Sequence, residues 1–175
     1  MARIPYFDLA QAPADYLERL KGRPPLNLYR MLPHAGPSAS NGFLALGSAI
    51  LRDNALDSRL REIVILRVGL LSGASYEVHQ HKRVARKVGL AEDKIAALEP
   101  GADQSALSPL ERLLVAFTDE VVHQVKASEV TFNALAAQLS HRELSEVLLT
   151  IGFYMLVSRF LENLEIDLEP PGAIS

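Results

Sequence analysis

Residues 57–90 read DSRLREIVILRVGLLSGASYEVHQHKRVARKVGL, and this stretch decides the fold. It divides into two helices that meet at Ser72-Gly73-Ala74. The first, over 58–71, is apolar on almost every side, with Leu60, Ile63, Val64, Ile65, Leu66, Val68, Leu70 and Leu71. A helix without a polar face belongs in the interior. It nevertheless carries Glu62 and Arg67, and charges rarely go fully inside unless paired. The second helix, over 76–88, is expected to begin after Ser75 as N-cap and to stop at Gly89, which accepts the left-handed conformation of a helix end.

Glu77 and His81 lie one turn apart and project from one face of that second helix. An acid beside an imidazole has two readings. As chemistry, it is a general acid/base pair in which the carboxylate orients a ring that titrates near neutral pH. As structure, Glu77 sits in the first turn, where the helix dipole favours negative charge, and His81 is its exposed partner. Glu62 and Arg67 divide in the same way. Glu62 is either half of a structural ion pair, with Arg59 or Arg61 available, or a third acid facing Glu77 and His81 across the helix junction. Arg67 is either a structural partner or a clamp for an anionic substrate group. Tyr76 is placed to line a pocket or supply a hydroxyl. His79-Gln80-His81 does not make a metal pair, because residues two apart on a helix point to nearly opposite sides and zinc needs three close protein ligands. Lys82, Arg83, Arg86 and Lys87 read as a solvated face at the helix end.

Outward from this pair, helices are expected over 13–21, 26–32, 41–51, 91–98, 109–124, 129–139 and 141–164. Ser108-Pro109-Leu110-Glu111 and Ser140-His141-Arg142-Glu143 are capping boxes, with Ser at the cap and Glu three residues on. No stretch alternates at period two, so the fold class is all-α, with about eight helices. Residues 1–12 form an N-terminal arm, 43–164 the core and 167–175 a Pro-rich tail, within one domain over 1–175. Arm and tail are expected to be free to wrap a neighbouring chain.

The net charge of −3 gives no general attraction to nucleic acid or to anionic membrane. There are no cysteines, which removes disulfides, thiolate metal sites and cysteine nucleophiles together. The N-terminus has no apolar core of signal-peptide type, and the uninterrupted apolar run over 147–157 is too short to span a bilayer. A cytoplasmic protein is expected.

The quoted stretch resembles the core of the carboxymuconolactone decarboxylase family, which includes the alkylhydroperoxidase D-like proteins. The likeness covers residues 43–90 and, more thinly, the closing helix over 143–161. It implies an all-α bundle that assembles into trimers, hexamers or larger rings of identical chains. In the peroxidase branch a Glu is followed by C-x-x-C and then by a His four residues later. Glu62 and His81 match the ends of that pattern, while Ala74 and Glu77 occupy the two cysteine positions. Thiol-dependent peroxide reduction is therefore disfavoured, since disulfide exchange needs thiolates. The E-x-x-x-H spacing of Glu77 and His81 resembles the decarboxylase branch instead. That resemblance implies an acid/base enzyme without cofactor or metal, acting on a small anionic organic acid or lactone. His81 is then the proton shuttle, Glu77 its orienting partner, Glu62 a second acid or relay, Arg67 the anion clamp and Tyr76 a pocket residue. The alternative is a non-catalytic oligomeric binding protein of the same fold.

Overall fold

A computed structural model describes residues 1–173; the last two residues of the predicted tail lie outside the described residues. Eight α-helices and three 3-10 turns make up its secondary structure among those residues. The all-α expectation holds, and the physical reasons are visible at the helix ends. The helices are α1 (Ala14–Leu20), α2 (Pro37–Arg52), α3 (Ser58–Leu71), α4 (Ser75–Lys87), α5 (Glu92–Ala96), α6 (Pro109–Gln124), α7 (Glu129–Ala136) and α8 (His141–Leu164). Both capping boxes form as read: Ser108 and Ser140 each accept from the backbone N–H three residues on, and Glu111 and Glu143 reach back.

α3 is the axis of the bundle. Asp57 caps its start by accepting from the backbone N–H of Arg59 and Leu60, and every residue from position 61 to 69 is buried. It packs chiefly on α6, α4 and α8. The turn into α4 depends on Gly73, whose φ of +62° lets the Ala74 N–H reach the Gly69 carbonyl at 2.9 Å. Burial of this mostly apolar helix among three others gives the continuous core that includes Ile63, Leu66, Leu114, Phe117, Ile151 and Leu161.

Several boundaries differ from expectation, each for a local reason. Ser75 is not a cap. It is the first residue of α4, and its N–H is accepted by the Glu162 carboxylate of α8 at 3.0 Å. The helix expected over 26–32 is instead a pair of 3-10 turns, Asn27–Arg30 and Leu32–Ala35, which meet at Met31; Pro33, early in the second turn, has no N–H to continue an α-helical ladder. α2 starts earlier than expected because Pro37 presets the first helical φ. α5 and α7 are shorter than read.

The N-terminal arm and the tail fold onto their own chain. Arg3 N–H donates to the Leu164 carbonyl, while Ala2 N–H and the Tyr6 hydroxyl both donate to Asp167 at 3.1 Å. Further on, Glu169 accepts from Tyr76 and Gln80 of α4 and from the Asn27 backbone N–H. α8 is long enough to cross a membrane and contains an 18-residue window of mean hydropathy 1.5, although no uninterrupted apolar run in it suffices. Half of that window is buried in the bundle.

Gly69 sets the distance between α3 and α4. A Cβ there would lie 3.0 Å from a Val78 methyl and 3.7 Å from Glu77 Cγ. Alanine gains about 1 kcal/mol of helix propensity, but overpacking costs about 1–3 kcal/mol. Gly69→Ala is therefore expected to destabilise the fold by a net ~1 kcal/mol, read as a lower urea midpoint. An unchanged or raised midpoint would show that the two helices have slack at this point.

Candidate active site

Close approach of α3 and α4 brings Glu62, Glu77 and His81 together. The ring of His81 lies between the two acids. Its Nδ1 is 2.6 Å from Glu62 Oε2, and its Nε2 is 3.0 Å from Glu77 Oε1. Glu62 is completely buried, and its second oxygen takes Arg61 Nε at 3.2 Å. A carboxylate in such a place is tolerable only because both oxygens have charged or polar partners. Tyr154 of α8 meets the His81 ring edge-on, with centroids 5.0 Å apart.

Burial alone would disfavour the charged imidazole. The carboxylates of Glu62 and Glu77 override it, and the His81 pKa is pushed up to about 10. At neutral pH the ring is an imidazolium that donates from both nitrogens. Arg61, Glu62, His81 and Glu77 then form a buried group of two cations and two anions. The Tyr154 hydroxyl is held well above its ordinary pKa, first by burial and then by the nearby charges of Glu77 and Glu62.

Glu77 and His81 form part of the wall of a cavity of about 660 Å³. Its apolar lining includes Leu28, Phe43, Leu44, Phe153 and Val157, with Tyr76, Gln80 and Tyr154 on the polar side. Glu62 does not line it and stands behind the ring. Tyr76 does, as expected, but its hydroxyl donates to Glu169. The tail thus closes one side, and Ala173 also borders the cavity.

Arg67 stands apart from the other four expected residues. Its guanidinium grips Asp119 of α6 through Nε and Nη2, at 2.6 and 2.7 Å, and donates to the Leu98 carbonyl. That bidentate geometry is the structural option left open for it. It does not line the cavity. His79 is exposed on the opposite side of α4. Among the described residues no group of three or more His, Asp or Glu is arranged to hold a metal ion. Phe43, Gln80, Phe153 and Tyr154 went unread as site residues. Gln80 is four residues after Tyr76, so helical spacing offered a signal; the others reach the site from distant helices and offered none.

Residues 37–120 match the model of the carboxymuconolactone decarboxylase family. Over these residues the chain is similar to that family. The matched segment contains Glu62, Glu77 and His81, together with the junction that aligns them. The fold of the chain is similar to that of an alkylhydroperoxidase AhpD core, an uncharacterised peroxidase-related protein from Ralstonia eutropha JMP134. The TM-score is 0.79 at 22% identity, over 96% of this chain and 92% of that one. A peroxidase-related protein from Silicibacter sp. TM1040 aligns with a TM-score of 0.77 at 15% identity, over 96% and 94% of the two chains. The debrominase Bmp8, as a cysteine-to-alanine variant in complex with 2,3,4-tribromopyrrole, aligns with a TM-score of 0.79 at 15% identity, over 99% and 95%. No curated protein matches the sequence.

A raised folded-state pKa stabilises the protein below the unfolded pKa and is lost as pH rises through the folded value. For His81 that window runs from 6.5 to about 10. The melting temperature of the wild type is expected to fall across this range more steeply than that of His81→Gln, measured by calorimetry in matched buffers. Parallel slopes would mean that the ring carries no extra proton in the folded state.

Proposed function

We propose that this chain is a carboxymuconolactone decarboxylase-like acid/base enzyme that acts on a small organic acid or lactone without a thiol or cofactor. One observation carries the reading: a buried imidazole, paired at both nitrogens with carboxylates, on the wall of a cavity large enough for an organic substrate. Glu77 is the group that meets the substrate. Its carboxylate accepts a proton from carbon next to a carbonyl or carboxylate, or, once protonated, delivers one to a carbanion. In the donating direction His81 supplies Glu77: the Nε2 proton passes to the carboxylate, and the ring that remains keeps its Nδ1 proton toward Glu62; in the abstracting direction Glu77 keeps the proton and returns it to product or to solvent. Glu62 is thus a positioning residue that fixes the tautomer, and Arg61 balances its charge.

A pure binding protein has no use for the doubly paired ring, because burying four charges brings a desolvation cost that apolar side chains avoid. Thiol peroxidase chemistry has no nucleophile here, with Ala74 and Glu77 in the cysteine positions. The same reading includes self-association, supported by the exposed Leu148, Leu149 and Leu156 on the outer side of α8.

The test is a screen of lactones and small β-keto and unsaturated acids with the wild type, Glu77→Gln and His81→Gln. Loss of general acid/base catalysis is expected to lower kcat by about 10²–10⁴-fold in both variants. Glu62→Gln is expected to retain KM and to move the basic limb of the pH profile downward. Full turnover by His81→Gln, or His81-dependent peroxide consumption with a thiol donor, would overturn the assignment. In sedimentation equilibrium a species larger than the 19.2 kDa chain is expected; a monomer at all concentrations would remove self-association.

A further inference from the structure

Three tyrosines border the cavity, Tyr29, Tyr76 and Tyr154, and their hydroxyls are in different situations. Tyr76 is committed, since its hydroxyl donates to Glu169. Tyr29 is half-buried, with the Arg23 guanidinium 5.7 Å from its ring centroid. Tyr154 is only 3% exposed, yet its hydroxyl makes no hydrogen bond among the described residues. Buried tyrosine hydroxyls usually find a partner. Two sealed side-chain polar atoms lack one among the described residues, Asn41 Oδ1 and Ser158 Oγ, and the Tyr154 hydroxyl is not one of them. It is therefore not enclosed by protein and opens onto the cavity that Tyr154 lines.

Two contacts fix the ring. It stands edge-on to His81, with centroids 5.0 Å apart, and to Phe153, at 5.4 Å. α8 carries it and packs on both α3 and α4, so the hydroxyl sits on a rigid element beside the acid pair. Burial and the charges of Glu77 and Glu62 keep its proton in place at neutral pH.

Proton transfer at carbon calls for such a donor. When Glu77 takes the proton, the C–H electron pair forms a C=C bond and the carbonyl π pair moves onto oxygen. The same oxygen holds the charge when a carbanion is protonated. Within one turn of Glu77, α4 offers the cavity Tyr76, Gln80 and His81 as donors. Tyr76 and Gln80 are held by Glu169, and both nitrogens of His81 face carboxylates.

We propose that the Tyr154 hydroxyl is a catalytic hydrogen-bond donor to the carbonyl oxygen of the substrate, next to the carbon at which Glu77 exchanges a proton. The inference rests on the acid/base reading above and narrows its substrate class to a ketone- or ester-type carbonyl, lactones included. One neutral donor matches the single oxygen of that group, whereas a plain carboxylate would develop charge on two.

The experiment uses acetophenone, an uncharged ketone isotopically labelled at the carbonyl carbon, bound to the full chain. A hydrogen bond weakens C=O, so the infrared carbonyl band of the bound ketone is expected at lower frequency in the wild type than in Tyr154→Phe. Tyr76→Phe is expected to leave the band at its wild-type position. Phenylalanine keeps the ring contacts with His81 and Phe153, and an unchanged melting temperature will verify that the variant is folded. On a substrate found by the screen, Tyr154→Phe is expected to lower kcat by about 10²–10³-fold with KM retained. The same band position in wild type and Tyr154→Phe would overturn the proposal. So would an equal displacement in Tyr76→Phe, or failure of the wild type to bind acetophenone. The infrared readout uses no turnover. Full turnover by the His81 variant would therefore remove the acid/base reading and leave the band difference standing, so the two fail separately.

Discussion

Two carboxylates close on one imidazole ring, and the arrangement of the central helices follows from that contact. Glu62 comes from α3, and Glu77 and His81 from α4. With Arg61 included, the buried group is neutral only when the ring is protonated. A neutral ring would leave one uncompensated negative charge in the interior, which is the costly state. The raised pKa of His81 is that cost expressed as proton affinity.

The surrounding structure holds the contact in register. Gly69 permits the close approach of α4, and the Gly73 turn directs α4 back along α3. Glu162 of α8 accepts from the first N–H of α4, and Tyr154 of the same helix stands edge-on to the ring. The two acids are then unequal by position. Glu62 is sealed behind the ring, whereas Glu77 borders the cavity. One acid can therefore hold a tautomer while the other exchanges a proton with a bound molecule. The alternative reading of Glu77 and His81 as an exposed surface pair does not survive their burial.

Much of this was legible because it is local. Helical periodicity, the two Ser-x-x-Glu boxes and the apolar stretch over 58–71 specify an all-α fold and name its central helix. The i,i+4 spacing placed Glu77 with His81, and the helix junction offered Glu62 as a third acid facing them, a reading that stood beside a structural ion pair. What sequence could not supply were contacts made across long separations. Arg67 looked the same whether it held a substrate or Asp119, and only the packing of α6 on α3 chose between them. Glu169 lay in a tail without periodicity, yet it accepts from both Tyr76 and Gln80. Ser75 had the composition of a cap, but a carboxylate from α8 took that role.

The protonation state of His81 is accessible by ¹⁵N nuclear magnetic resonance of the imidazole nitrogens, assigned by comparison with His81→Gln. The account predicts that at about pH 7 both ring nitrogens carry protons, and that the neutral ring emerges only as pH approaches about 10. A ring already neutral at about pH 7, with one protonated and one bare nitrogen, would contradict it.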